Sequence, residues 1–218
     1  ALFEIGPIFL PQIGDLPDER RVFTAVSGAR WSEVGWNVAG DVDFFAMKGV
    51  AEIIAERLGT PDLDFKRFRH SAFRTGSSAA IMAKDLLIGA VGEVSPQTRD
   101  ASNIDETAWA LVLDLTRTFH TANSVRQYQR LPRFPAIVQD LSIIVDNDAA
   151  SGDIVETICQ SGRDLIGNVQ LIDQYRGEQV PKGKRGLTYS ITYRSATRTL
   201  VDDDAASIHD RILKALQG

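Results

Sequence analysis

A polar stretch between His120 and Arg133 constrains the fold of this chain more than any other feature. The stretch ends in Leu131-Pro132-Arg133-Phe134-Pro135, and neither a helical nor a strand periodicity continues through two prolines spaced this closely. The sequence therefore predicts two domains, residues 1–120 and 131–218, joined by a linker over residues 121–130. A chain of 218 residues with 44% hydrophobic side chains is large enough for two modest cores.

Length and composition also bear on location. No apolar run approaches the roughly 20 residues that span a bilayer, and the N-terminus lacks the pattern of a secretory signal, so we expect a cytoplasmic protein. The chain begins at Ala1 instead of Met, which favours a fragment of a longer protein. The single cysteine, Cys159, lies among apolar residues at helical spacing, which predicts a small buried side chain without a disulfide or metal partner.

The first domain shows one clear helix and several short apolar runs. Apolar side chains recur every three or four positions over Ala46–Leu58, behind Asp43 as a cap and ahead of Gly59 as a stop, which predicts an amphipathic helix. A strand over Val22–Ser27 leads to a Gly28 turn and a loop with Trp31 and Trp36. Three further runs predict neighbouring antiparallel strands: Ser78–Lys84, Leu86–Val94 and Ala108–Leu115.

The second domain follows a β-α-β-β-α order. Strands are predicted over Leu141–Val145, Val169–Tyr175 and Gly186–Arg194, with a helix between the first two that Ser151 caps and that ends near Gln160. A last helix opens with Asp202, Asp203 and Asp204. This order resembles a ferredoxin-like split βαβ plan whose outer strand is not evident, so the fold class of the whole chain is α+β.

Charge is distributed unevenly between the two halves. Residues 1–123 hold 12 Lys/Arg and 17 Asp/Glu, whereas residues 124–218 hold 12 of each. Six cations and one acid, Glu178, lie between Arg176 and Arg198: Arg176, Lys182, Lys184, Arg185, Arg194 and Arg198. Tyr175, Tyr189 and Tyr193 are interleaved with these cations, which is typical of a surface that stacks unpaired bases and holds phosphates. The residue types alone leave two alternatives open, RNA binding or a solvated basic loop, because the tyrosine face can also pack on the helices.

Other short patterns favour structural roles over chemical ones. The acids at 202–204 are compatible with a magnesium site, but negative side chains in a first helical turn also interact favourably with the helix dipole. Gly76-Ser77-Ser78 lacks the lysine of a phosphate-binding loop, so we expect a turn. The three histidines are widely separated and no nucleophile elbow is present, so neither a metal site nor a hydrolase is supported.

Several ordered motifs in the second domain carry a resemblance to a known family. They are Arg133-Phe134-Pro135, Gln139-Asp140-Leu141-Ser142, Asp173-Gln174-Tyr175-Arg176-Gly177, Lys184-Arg185-Gly186-Leu187 and Arg198-Thr199-Leu200. This series is similar to the ferredoxin-fold anticodon-binding domain that closes the β subunit of bacterial phenylalanyl-tRNA synthetases. The family usually has Arg-Asp where this chain has Gln139-Asp140, which removes one cation that faces RNA.

The first domain resembles the synthetase-like module of the same subunit, which implies a class II synthetase-like antiparallel sheet. The matching segments are Leu2–Phe9, Asp43–Gly49, Gly76–Ala79 and Ile88–Val94. The family usually shows His-Pro-Gly where this chain has Arg74-Thr75-Gly76, so no role of that turn is carried over. The arginines that hold ATP phosphates in a class II site have no counterpart after Leu115, so we expect no catalysis by this chain.

The resemblance implies a role in an α₂β₂ ligase. That enzyme joins phenylalanine to tRNA(Phe) with ATP and magnesium, and its adenylate chemistry lies in the α subunit; no cofactor is expected in this chain. We expect residues 1–120 to pack on the α subunit and residues 131–218 to bind the anticodon stem-loop. The expected RNA contacts are Arg133, Phe134, Tyr175, Arg176, Lys184, Arg185 and Arg198, while Asp140 and Asp173 orient cations or turns. The alternative is an assembly-only module or a free-standing paralogue that binds protein instead of RNA.

Overall fold

The computed structural model describes residues 1–28, 41–60, 63–123, 131–177 and 179–217. The chain divides into two compact units, Ala1–Tyr128 and Gln129–Gly218. The predicted loop with Trp31 and Trp36 lies outside the described residues. No helix in the described ranges is both long and apolar enough to cross a membrane.

The first unit is built on a six-stranded antiparallel sheet. Its strands are β1 (Leu2–Leu10), β2 (Asp18–Ser27), β3 (Leu63–Arg67), β4 (Phe73–Ala83), β5 (Leu86–Val94) and β6 (Trp109–Asp114). They lie in the order β1-β2-β6-β5-β4-β3, and each neighbouring pair is antiparallel. The predicted antiparallel neighbours in the middle of this sheet are confirmed, whereas β1 and β3 were not predicted as strands.

In the described part of the first unit, three helices accompany this sheet: α1 (Phe44–Leu58), α2 (Pro96–Ala101) and α3 (Leu115–Thr121). The predicted ends of α1 are confirmed, because the Asp43 carboxylate accepts a hydrogen bond from the Ala46 N–H at 2.8 Å and Gly59 adopts φ +73°. The buried face of α1, which includes Met47 and Ala51, belongs to the same apolar core as Ile81, Ile88, Val91, Leu111 and Leu113 from the sheet.

The predicted turn at Gly76-Ser77-Ser78 is wrong. These residues lie inside β4, where Gly76 has φ +85° and the pairing with β5 shifts register between Phe73 and Ser78. The Ser78 hydroxyl donates a hydrogen bond to the Phe68 carbonyl at 2.8 Å. A β-bulge uses the same small and flexible residues as a turn, so the composition alone did not separate the two.

The described residues of the second unit form three strands and two longer helices. They are β7 (Ile137–Asp146), α4 (Ser151–Gly162), β8 (Ile166–Tyr175), β9 (Lys184–Tyr193) and α5 (Asp202–Gln217), with a 3₁₀ turn over Arg163–Leu165. The antiparallel sheet has the order β7-β9-β8, so β9 is its central strand. The β-α-β-β-α order predicted from the sequence is therefore confirmed.

Two predicted details of α4 are wrong. Ala150 is the residue before the first helical turn, and Ser151 makes no capping hydrogen bond; its hydroxyl lies 2.9 Å from the Tyr189 hydroxyl instead. Cys159 is exposed, although it was expected to be buried. The buried stripe of α4 runs through Ile154 and Ile158, and a residue one step beyond Ile158 turns toward solvent because successive helical side chains are about 100° apart.

Candidate nucleic-acid interface

One face of the central strand β9 forms the core of the second unit. Leu187, Tyr189, Ile191 and Tyr193 alternate along β9 and are at most 1% exposed. They belong to one apolar cluster with Ile158 of α4 and with Ile208 and Ile212 of α5. Of the two alternatives for the tyrosine face, packing on the helices is the one observed, so neither Tyr189 nor Tyr193 is available to stack on a base.

The two buried phenols are held by polar partners. The Tyr193 hydroxyl lies 3.1 Å from His209 Nδ1, and burial raises the pKa of Tyr193 to about 12. Burial also raises the pKa of Tyr189, against the opposing influence of the Ser151 hydrogen bond and the Arg185 charge. Both phenols therefore stay neutral at ordinary pH and have a structural role.

The opposite side of this sheet is exposed or half-exposed, and we call it the open face. Residues paired across antiparallel strands share a side of the sheet, so the register assigns its members. They are Val138, Asp140, Ser142, Ile144 and Asp146 of β7, Lys184, Gly186, Thr188, Ser190 and Thr192 of β9, and Asn168, Gln170, Asp173 and Tyr175 of β8. Hydroxyls, amides and carboxylates predominate, so most of this surface offers hydrogen-bond donors and acceptors.

Tyr175 lies at one end of the open face. Its backbone is paired with Gly186, and its side chain is 46% exposed. The ring lies against the next turn, because a Cβ added at Gly177 would be 2.2 Å from the Tyr175 hydroxyl oxygen. Glycine at 177 thus allows the ring to lie beside the backbone, which limits the conformations of the Tyr175 side chain. The ring remains partly exposed and is suited to stacking on a base.

Below Tyr175 the polar residues form a row across the sheet. Asp173 is paired with Thr188, which in turn is paired with Ser142. The Ser142 and Thr188 hydroxyl oxygens are 2.9 Å apart. Neither Asp173 nor Asp140 makes a hydrogen bond or ion pair with a residue in the described ranges, so the expected role of these carboxylates in orienting cations has no contact to carry it. Both carboxylates are exposed on the open face as acceptors.

The cations near Tyr175 differ in what they contact. Lys184 forms an ion pair with Asp146 at 3.1 Å on the open face, and Arg176 is exposed without a polar partner among the described residues. Arg185 belongs to the helix side of the sheet, where its Nη2 donates to the Ala149 carbonyl at 2.7 Å. Its Nη1 donates to Gln174 Oε1 at 2.9 Å. Arg185 thus holds the connection to α4 in place, which leaves fewer of its donors available to RNA.

The remaining predicted contacts lie toward the other end of the sheet. Arg133 is exposed and Phe134 is half-buried just before β7, and Arg198 follows β9. The ten residues of β9 span roughly 30 Å at about 3.3 Å per residue. The structure therefore does not bring all seven predicted residues into one site: Tyr175, Arg176, Lys184 and Arg185 lie near one end, and the other three near the opposite end.

Arg198 makes a bidentate ion pair at the start of α5. Its two terminal nitrogens donate to the Asp204 carboxylate at 2.5 and 2.7 Å, and Asp204 also accepts from the Val201 N–H at 3.0 Å. The hydrogen bonds from Arg198, followed by that from Val201, lower the pKa of Asp204 to about 2, and the same pair raises the pKa of Arg198. The acids 202–204 do occupy the first helical turn, as the dipole interpretation predicted.

Sequence reasoning missed the central hydroxyls of the open face. Thr188, Ser190 and Thr192 alternate with the buried residues of β9, so the strand periodicity contained the signal that would have found them. The prediction followed charged and aromatic residues instead, and two of its three tyrosines proved to be core.

The first unit carries an uncovered surface of another kind, along β1. We call this the β1 surface; its large apolar side chains are Leu2, Phe3, Ile5, Ile8, Phe9 and Leu10, which are 36% to 80% exposed. Phe3 stacks on Phe23 with ring centroids 6.0 Å apart, beside an apolar cavity of about 220 Å³. Exposed apolar surface of this extent on an edge strand is typical of a protein interface.

The described residues offer little to a metal ion. They contain no group of three or more His, Cys, Asp or Glu side chains placed to hold one. The carboxylate of Asp204, the acid for which a magnesium role was weighed together with Asp202 and Asp203, is occupied by Arg198.

Comparison with known proteins agrees with the fold of both units. The second unit, an antiparallel βαββα sheet with one open polar face, is similar to a known class of domain: residues 132–218 match the model of the ferredoxin-fold anticodon binding domain. Residues 1–115 match the model of the phenylalanyl tRNA synthetase beta chain CLM domain, and the chain belongs to that family.

Curated relatives extend the similarity over the whole chain. It is 32% identical over 99% of its length to the phenylalanine–tRNA ligase beta subunit of Clostridium acetobutylicum, of which it covers 26%. It is 33% identical over 100% of its length to the same subunit of Symbiobacterium thermophilum, of which it covers 25%. The chain thus spans about a quarter of the length of these relatives.

Proposed function

We propose that this chain acts within the β subunit of a cytoplasmic phenylalanyl-tRNA synthetase and supports the joining of phenylalanine to tRNA(Phe). The relatives that match its whole length are named as beta subunits of that ligase, and its second unit matches an anticodon-binding model. In this proposal the α subunit of an α₂β₂ assembly performs the chemistry with ATP and magnesium. The chain itself contributes binding surfaces and no catalytic group.

The second unit contacts the anticodon region through the open face, beginning at Tyr175. The observation that carries this assignment is the exposed Tyr175, which lies one row along the open face from the hydroxyl pair of Ser142 and Thr188. A base stacked on the ring meets acceptors and donors from the neighbouring row, including the Asp173 carboxylate. Arg176 and Lys184 supply positive charge for the phosphates at the same end.

Two arginines among the expected RNA contacts act mainly by positioning. Arg185 holds the Ala149 carbonyl and Gln174, and Arg198 holds Asp204 at the start of α5. These contacts orient both guanidinium groups. Replacing either arginine therefore removes hydrogen bonds within the second unit, and its effect on phosphate binding is secondary. Arg133 and Phe134 contribute at the far end of the sheet.

The first unit packs on the α subunit through the β1 surface, as a non-catalytic domain of class II synthetase-like fold. An apolar strand with Phe3 and Phe9 exposed is stabilised by a partner that removes it from water. This observation also favours the alternative in which the chain is an assembly module only. The two functions are compatible, because the apolar and the polar surfaces belong to different units.

The test is RNA binding by the α₂β₂ enzyme at several salt concentrations. We expect preference for a phenylalanine anticodon stem-loop over an unrelated one, and a steep fall in affinity as salt rises. Arg176→Gln or Lys184→Gln should each reduce the slope of log affinity against log salt by about 0.7 for a single-stranded contact. Equal affinity for both stem-loops would refute anticodon recognition and leave the assembly function.

A second measurement addresses the absence of catalysis. The 218-residue chain alone should not activate phenylalanine in an ATP-dependent exchange assay. Turnover by the purified chain, free of α subunit, would contradict this assignment.

A further inference from the structure

A cavity of about 500 Å³ lies where β8 begins and β9 ends, at the opposite end of the sheet from Tyr175. Arg133, Gly167, Arg194 and Ser195 contribute to its lining. Asp164 is the carboxylate among the described residues that line it, so the lining contains two arginines and one acid. The cavity is therefore suited to an anion.

Arg194 has a donor without a partner. Its Nε is buried and makes no hydrogen bond with the described residues. The backbone N–H of Arg194 donates to the Leu165 carbonyl at 2.9 Å, which fixes the position from which the side chain starts. A buried charged donor without an acceptor is costly, and an oxygen of a bound group would satisfy it.

Arg194 also continues the open face. It follows Thr192 by two positions, so the strand periodicity directs its side chain to the same side. The contacts around Gly167 agree, because a Cβ added there would lie 3.6 Å from Thr192 Cγ2 and 3.7 Å from Arg194 Cβ. The small residue at 167 leaves the space above this end of the sheet open.

We propose that Arg133 and Arg194 form a second phosphate-binding site for RNA, so that a bound strand crosses the whole open face. The inference rests on the proposed RNA-binding function and extends it to residues beyond the Tyr175 end. Lys184 and Arg194 are ten positions apart, which corresponds to roughly 33 Å along the strand. Between them lie the hydroxyls of Thr188, Ser190 and Thr192, which hydrogen-bond to sugars and bases without adding charge.

This geometry makes the length of the RNA decisive. A ligand held only at the Tyr175 end is too short to reach the cavity, whereas one of about 12 nucleotides is within the range that single-strand-binding folds cover. Arg133 and Arg194 should therefore contribute to the binding of the longer ligand alone.

The experiment measures the affinity of the 218-residue chain for oligoribonucleotides of about 4 and about 12 nucleotides, each made once with a phenylalanine anticodon and once with an unrelated anticodon, over a range of salt. Arg194→Gln and Arg133→Gln should each lower the salt slope for the longer RNA by about 0.7 and leave the shorter RNA unaffected. Lys214→Gln is the matched control, since this exposed cation on α5 belongs to the helix layer and should change neither slope.

The outcomes separate this inference from the function on which it rests. Unchanged slopes for both arginine variants, with normal binding of the longer RNA, would overturn the second site and leave the Tyr175 end in place. Equal losses on short and long RNA would also overturn it, because a damaged fold affects both lengths; Arg133→Gln alters an exposed loop residue and provides the variant least prone to misfolding. Failure of the chain to bind RNA of either length would overturn both proposals. A reduced slope without preference for the phenylalanine anticodon would support the second site while refuting recognition.

Discussion

The β1 surface and the open face are both exposed sheet surfaces, but their chemistry is opposite. The first presents Phe3, Ile5 and Phe9 to solvent; the second presents mainly hydroxyls, amides and charged groups around Tyr175. An apolar strand gains most from a partner that excludes water. A polar face remains hydrated when empty and exchanges water for ligand hydrogen bonds. The difference teaches that exposure alone says little about a partner until the type of exposed atom is considered.

The largest expected effect concerns the core that supports the open face. Tyr193→Ala should lower the free energy of unfolding of the second unit by about 3–5 kcal/mol, because it removes a fully buried ring. The neighbouring Thr192→Ala, on the open face, should lower it by no more than about 1 kcal/mol, the span of β-strand propensities. Urea denaturation followed by far-ultraviolet circular dichroism measures both. Similar losses for the two variants would show that the faces of β9 are not distinct.

The next effect concerns the β1 surface. Ile5→Ser should weaken association with the α subunit by about 2 kcal/mol, which is roughly thirtyfold, if this strand lies at the centre of that interface. The same substitution at Ile53 of α1 is the matched control, since these isoleucines are 54% and 59% exposed. Analytical ultracentrifugation of the mixed subunits gives the affinities. If both variants weaken the association equally, the β1 surface contributes no more to binding than the surface around Ile53.

A smaller effect is expected at the stacking residue of the open face. Tyr175→Ala should reduce the affinity for the anticodon stem-loop by about 1–3 kcal/mol, whereas Tyr175→Phe keeps the ring and most of the affinity. Fluorescence anisotropy at constant salt is a suitable measurement. If the alanine and phenylalanine variants bind alike, the ring does not stack on a base.

The smallest effect is a pH dependence that belongs to neither surface. The pKa of Asp204 is lowered to about 2 in the fold, below the usual value of about 3.9, so its ion pair with Arg198 stabilises the folded state above pH 4. The advantage of the wild type over Asp204→Asn should be constant near neutral pH, fall as the pH drops below about 4, and disappear only below the folded-state pKa of about 2. Urea midpoints of the two proteins across this range measure it. A difference that stays as large below pH 2 as it is at neutral pH would mean that the carboxylate charge is not its source.

How much was predictable from the sequence depended on the strength of local patterns. α1 carries a cap, a stop and a regular apolar stripe, and β9 alternates over ten residues, so both were predicted close to their observed ends. β1 has Gly6 and Pro7 in its middle, which breaks the alternation that identifies a strand. The seven residues of α3 are too few to establish a helical period.

The candidate site was less predictable because the contact partners of its side chains are distant in the sequence. Arg185 bonds to Ala149, 36 positions away, and Tyr193 packs beneath helices that are distant in sequence. A basic or aromatic residue type therefore indicated only that a side chain could bind RNA. The tertiary fold determines whether that side chain instead contacts other residues of the protein. Tyr175 and Arg176 remain exposed at the end of an edge strand.

The exposed β1 strand affects how the chain behaves at high concentration. The outer edge of β1 has no neighbouring strand in the described part of the sheet, so its backbone groups and apolar side chains are free to pair with a second copy. Self-association of the chain through β1 rises with its concentration, whereas a partner bound to β1 would block this association. We therefore expect the isolated chain to self-associate as its concentration rises, and a partner that covers the nine residues of β1 to suppress that self-association.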